Sequence, residues 1–108
     1  MPTIYKVLGQ VNPANTTNTT LYTVPSANSA VCSTLTVCNT GVGTQFRVAV
    51  RPAGANISDV HYVVFNNTIN SNDTVFLTLG ITLAATDVVT VYANTANVTF
   101  GLFGSEVS

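Results

Sequence analysis

His61 is the only imidazole in the chain, and Asp59 precedes it by two residues. On an extended strand that spacing places both side chains on one face. A carboxylate and an imidazole so placed can relay a proton or supply two metal ligands. A metal site needs at least a third ligand, and Asp73 or Asp87 would have to converge on the pair from distant turns. The plainer expectation is a solvated pair at a strand end. Nucleophilic catalysis finds no G-x-S-x-G elbow, and the seven glycines form neither a dinucleotide fingerprint nor a phosphate loop. Four acids in all leave little room for a paired-carboxylate hydrolase. No catalytic, cofactor or metal site is expected, and the chain reads as a non-enzyme.

Charge is what the chain lacks. Lys6, Arg47, Arg51, Asp59, Asp73, Asp87 and Glu106 are its only charged residues, 6% of 108, against about 25% in an ordinary soluble domain. Nucleic-acid binding needs a concentrated basic face, which three cations cannot build. No apolar run approaches the roughly 18–20 residues of a membrane span. Residues 1–10 lack the basic and apolar regions of a secretory signal, so the expectation is a soluble chain made in the cytoplasm. Eighteen Thr and twelve Asn take the place of the missing charges. Hydroxyls and amides meet a partner, a second copy or water without the desolvation cost of an ion.

Cys32 and Cys38 both fall in the segment 30–39, which reads as one strand. Six residues of strand span about 20 Å, whereas bridged Cα atoms lie within about 7 Å. The two cysteines are expected reduced, as small half-buried apolar fillers, with a bond to another chain as the alternative. N-x-S/T sequons at Asn15, Asn18, Asn56, Asn66, Asn72 and Asn97 are what an Asn- and Thr-rich chain generates by chance. Tyr5, Tyr22, Tyr62 and Tyr92 are candidates for a sugar-binding face, but core or interface positions suit them better.

The elements that must position these groups are strands. Apolar residues recur with a period of two, clearest where Phe46, Val48 and Val50 alternate with Gln45, Arg47 and Arg51. The pattern predicts strands at 4–10, 19–24, 30–39, 45–51, 60–65, 74–79, 87–93 and 98–103, with turn residues between them and no sustained helix. The segment 60–65 is apolar on both faces and reads as a central strand closed by Asn66-Asn67. The expected fold is all-β, residues 1–108 forming one antiparallel two-sheet sandwich of about eight strands, either a jelly roll or immunoglobulin-like. Its edges lack the lysines that usually deter edge-to-edge pairing, so neighbouring subunits are expected to cover them. Arg47 and Arg51 share one strand face and can fork onto partner carboxylates. They are the first interface candidates. The end segments Pro2–Tyr5 and Phe103–Ser108 come second, with Tyr5, Phe103 and Glu106 singled out.

Four stretches carry a resemblance. Residues 46–54 (FRVAVRPAG), the turn Asn72-Asp73-Thr74, residues 86–93 (TDVVTVYA) and the segment Phe103-Gly104-Ser105-Glu106 resemble small virion proteins of tailed bacteriophages, including cyanophages. The resemblance implies a structural role on the particle: a capsid decoration (cement) protein, or an accessory protein of the neck, tail or baseplate. It further implies major capsid protein or other virion proteins as partners, a trimeric state and a place in the virion after synthesis in the host cytoplasm. No catalytic residue is carried over.

Overall fold

Strands β1 (Thr3–Val11), β2 (Thr19–Thr23), β3 (Ser29–Asn39), β4 (Thr44–Arg51), β5 (Tyr62–Ile69), β6 (Thr74–Leu83), β7 (Val88–Ala93) and β8 (Val98–Val107) follow one another in a computed structural model that describes residues 3–108. Pro2, one of the interface candidates, lies outside the described residues. Short 3-10 turns at Pro52–Gly54 and Asp59–His61 separate β4 from β5. Two four-stranded antiparallel sheets face each other, sheet I in the order β1-β8-β3-β6 and sheet II in the order β2-β7-β4-β5.

The pairings β1–β8, β2–β7, β3–β6 and β4–β5 are nested about the link between β4 and β5. A long four-layered hairpin has been rolled up, and β3–β8 and β4–β7 pairing closes the roll. An immunoglobulin-like sandwich keeps its first two strands in one sheet. Here β1 and β2 lie in different sheets, so of the two expected architectures the strand order is that of the jelly roll.

Alternation explains which face each strand buries. Leu35, Val37, Phe100 and Leu102 of sheet I meet Phe46, Val48, Val89 and Val91 of sheet II, all at most 2% exposed. Each such side chain contributes about 1.5–3 kcal/mol by leaving water. At the centre, the rings of Phe46 and Phe100 meet edge to face at 6.1 Å, an arrangement the ring quadrupoles favour. Gly9 sits where β1 passes β2, and a Cβ there would collide with the Leu21 carbonyl oxygen.

Bulges break the alternation at three informative places. Against β8, Cys32 and Thr34 pair with adjacent residues, which leaves Ser33 as an extra residue in β3. Leu8 is extra in β1 in the same way. In sheet II, Phe46 and Val48 of β4 pair with Asn67 and Val64 of β5, so Phe65 and Asn66 together oppose Arg47. Asn66 adopts φ 53, a left-handed conformation that asparagine tolerates better than most residues.

The structure corrects the expectations for residues 59–69. Asp59–His61 is a 3-10 turn, not the start of a strand, and β5 runs through Asn66-Asn67 to Ile69. Nor is β5 central. It forms an edge of sheet II, and its second apolar face, with Val63 and Phe65, is exposed.

Candidate functional site

The histidine and the three aspartates do not converge on one site. His61 Nδ1 accepts a hydrogen bond of 3.1 Å from the Ser58 backbone N–H, which leaves its proton on Nε2 and makes the ring a cap of its own turn. Because Asp59 and His61 sit on that turn, they do not share a strand face as expected. Asp73 accepts from the Thr74 N–H at 2.9 Å, and Asp87 accepts from Ala53 and Ala84, tying the 52–54 turn to the β6–β7 link. Among the described residues, no three of His, Cys, Asp and Glu are grouped as a metal site requires, and no helix is long and apolar enough to cross a membrane. A groove of about 400 Å³ beside Gln10, Asn12, Thr36, Thr99 and Gly101 has no titratable side chain in its lining.

The five interface candidates separate into three places. Glu106, 8% exposed, is turned between the sheets. There Tyr22 O–H donates to its Oε2 at 2.6 Å, and Lys6 Nζ donates to Oε1 at 3.3 Å. The Tyr22 hydrogen bond holds the Glu106 carboxyl below its usual range, with Lys6 assisting and burial opposing. Burial, then the bond to Glu106, pushes the Tyr22 phenol up. Glu106 is therefore an inter-sheet clasp, not the surface contact expected of it. A residue in the sequence Gly-Ser-Glu-Val gives no sign of this, because the contact requires a tyrosine 84 positions away on the other sheet.

Tyr5 and Phe103 lie on the outer face of sheet I. Tyr5 is 85% exposed and Phe76 70%, with Val7 and Val31 exposed and Phe103 half-buried between them. Thr34, Thr36 and Thr78 complete the surface by register. None of the seven charged residues lies on this face. The chain's one lysine is on its edge strand, β1, but its ammonium is drawn to Glu106.

Arg47 and Arg51 lie on the opposite side of the molecule, on the outer face of sheet II. Arg51 Nε donates to Thr90 Oγ1 and Nη1 to the Ala55 carbonyl, both at 3.1 Å, so it mainly anchors the segment after β4. Arg47 is held differently. Its guanidinium lies between two rings, 4.5 Å from the centroid of Phe65 and 4.4 Å from that of Tyr92. Its Nε donates to Asn66 Oδ1 at 2.7 Å. The β5 bulge makes this possible, because in a regular strand Phe65 and Asn66 would point to opposite faces. Tyr92 is supplied by β7, directly across from Arg47 in the ladder. Tyr62 packs edge to face on Phe65 at 4.9 Å, and Asp59, Tyr62 and Phe65 line an adjoining cleft of about 380 Å³.

Phe65, Asn66, Tyr92 and Asp59 are members of this cluster that sequence reasoning did not connect with Arg47. The usable signal was the Asn66-Asn67 pair, two left-hand-tolerant residues inside a run that resumes as strand. No protein-family model matches the chain, and no curated protein matches it. The resemblance to phage virion proteins thus rests on the four sequence stretches alone.

Proposed function

We propose that the chain is a non-catalytic virion structural protein of the capsid-decoration type, docking through the outer face of sheet I onto major capsid protein. The observation that carries this reading is the chemistry of that face: Tyr5, Val7, Val31 and Phe76 exposed among threonines, with no charged side chain. Interface cores are depleted of charge and enriched in aromatic residues. Contiguous apolar surface on a small domain usually marks a contact site. Sheet I also ends in β1, an edge strand whose lysine is engaged within the molecule, so covering this side removes an open edge. The jelly roll is a recurrent architecture of viral shells, although it serves lectins as well. Trimers at shell threefold positions would add avidity to contacts that are individually weak.

The test is the mass of the purified protein by light scattering, followed by co-sedimentation with empty phage capsids. The proposal expects a trimer that pellets with capsids. The double variant Tyr5→Lys, Phe76→Lys should stay folded and remain in the supernatant. Binding to isolated tails or necks but not to capsids would favour the accessory-protein alternative. A monomer that binds neither would overturn the structural role.

A further inference from the structure

The geometry points to a second site on the other side of the molecule: we propose that the Arg47 clamp and its adjoining cleft bind an acidic sugar, a uronic or sialic acid residue. Arg47 is constrained on three sides. Phe65 and Tyr92 cover its two faces and Asn66 takes its Nε edge. What remains is the Nη end, which meets no acceptor among the described residues. A guanidinium held in this way has lost its rotameric freedom before any ligand arrives, and its two-pronged end matches a carboxylate.

The cleft supplies the rest of the recognition. Tyr62 and Phe65 line it, Phe65 remaining 54% exposed, and they offer apolar ring surface against which the C–H face of a pyranose can pack. At its rim stands Asp59. Of the three aspartates, Asp73 and Asp87 accept backbone hydrogen bonds, whereas the carboxylate of Asp59 accepts none from the described residues. It is available for sugar hydroxyls. The site thus joins a carboxylate receptor at Arg47, stacked on Phe65, to a cleft that offers the rings of Phe65 and Tyr62 and a hydroxyl acceptor at Asp59. A neutral sugar would leave the Nη end unmatched. An acidic peptide, with repeated negative charge, would meet Asp59 unfavourably. The face is opposite the outer face of sheet I, so the site and the docking role stand or fall separately.

The experiment is an NMR titration of the ¹⁵N-labelled protein with galacturonate, glucuronate and N-acetylneuraminate, each as its methyl glycoside, beside neutral methyl galactoside and a Glu-rich peptide. At least one acidic sugar should shift the Arg47 Nε, Asn66 side-chain and Tyr62 signals. It should bind about tenfold or more tighter than the neutral sugar. Arg47→Lys keeps the charge but loses the fork, and should weaken the acidic sugar about tenfold, the effect of one lost charged hydrogen bond, while leaving affinity for the neutral sugar nearly unchanged. If that variant does not fold, Asp59→Asn serves instead, and should reduce affinity for acidic and neutral sugars alike. No response to any acidic sugar, equal affinity for the neutral one, or tighter binding of the peptide would each overturn the proposal.

Discussion

Cys32 and Cys38 stand six residues apart on β3 yet project to opposite faces of sheet I. An even spacing on a regular strand places both on the same face. The extra residue Ser33 reverses the phase: Ala30 and Cys32 are buried before it, Leu35, Val37 and Asn39 after it. Cys32 is wholly enclosed, and burial pushes its thiol up to about 11. Cys38 lies half-buried on the outer face, so only the inner cysteine is a core filler.

Their reactivities should therefore differ. In the native protein at pH 8, a thiol reagent such as DTNB should titrate Cys38 within minutes and Cys32 only after unfolding, because the thiolate is the reactive form and burial suppresses it. Mass spectrometry of the labelled peptides reads the order. Equal labelling of both would contradict the bulge.

The Tyr22–Glu106 clasp makes stability depend on pH at both ends. Glu106 is depressed, so its contribution is present above the ordinary glutamate value of about 4.3 and is lost as pH falls through its native value. Tyr22 is raised, so its contribution is present below about 10 and is lost as pH rises toward its native value. Tyr22→Phe should cost about 1.5–3 kcal/mol at neutral pH, the range for a hydrogen bond to a charged group, and should flatten both limbs. Some alkaline loss should survive in the variant, since Cys32 is raised as well. Urea midpoints from pH 3 to 11 measure all of this. Lys6→Ala should matter less, under about 1 kcal/mol, because the lysine side chain is 44% exposed to solvent.

Asn39 ties the end of β3 to two neighbouring links. It is 1% exposed, its Nδ2 donates to the carbonyls of Val42 and Asn70, and its Oδ1 accepts from the Gly41 N–H. Asn39→Ala removes the partner of the Val42 and Asn70 carbonyls and of the Gly41 N–H, part-buried groups whose combined loss should cost about 1–3 kcal/mol. The expected signature is a large fall in melting temperature, with faster amide exchange at Gly41. Asn39→Asp should not rescue it, since a carboxylate cannot donate to carbonyls.

Phe100→Ala should cost about 3–5 kcal/mol by opening a cavity between the sheets. Phe100→Leu should recover much of that loss while forfeiting the edge-to-face contact with Phe46. Chemical denaturation of the three proteins separates volume from ring geometry.

Alternation alone made eight strands and a two-sheet sandwich legible, because residues such as Phe46, Val48 and Val50 declare their shared face directly. Single-residue insertions leave no such trace. Ser33 and Leu8 look like any other strand residue, and the Phe65–Asn66 bulge was mistaken for a strand end. The same difference governs the site. Arg47 stood out because the chain has only three cations, but its clamp depends on Tyr92, 45 positions away in sequence and brought across by β4–β7 pairing. Glu106 falls outside the alternation at 98–103 that marks the last strand in the sequence, whereas β8 runs on to Val107 as an interior strand of sheet I and turns Glu106 inward.

That position of β8 governs how the molecule can be built. Sheet II has all its strands once Ala93 is in place, but sheet I has β1 at a distance from β3 until Val98–Val107 inserts between them. Contacts between β1 and β8 join residues about a hundred positions apart, for example Thr3 with Val107. Such a high contact order predicts folding over milliseconds to seconds, not microseconds. In the interval β1 and β3 each present an unpaired edge, that of β3 without a single charged residue, so shortening the chain before Val98 should produce aggregates and not a smaller soluble domain.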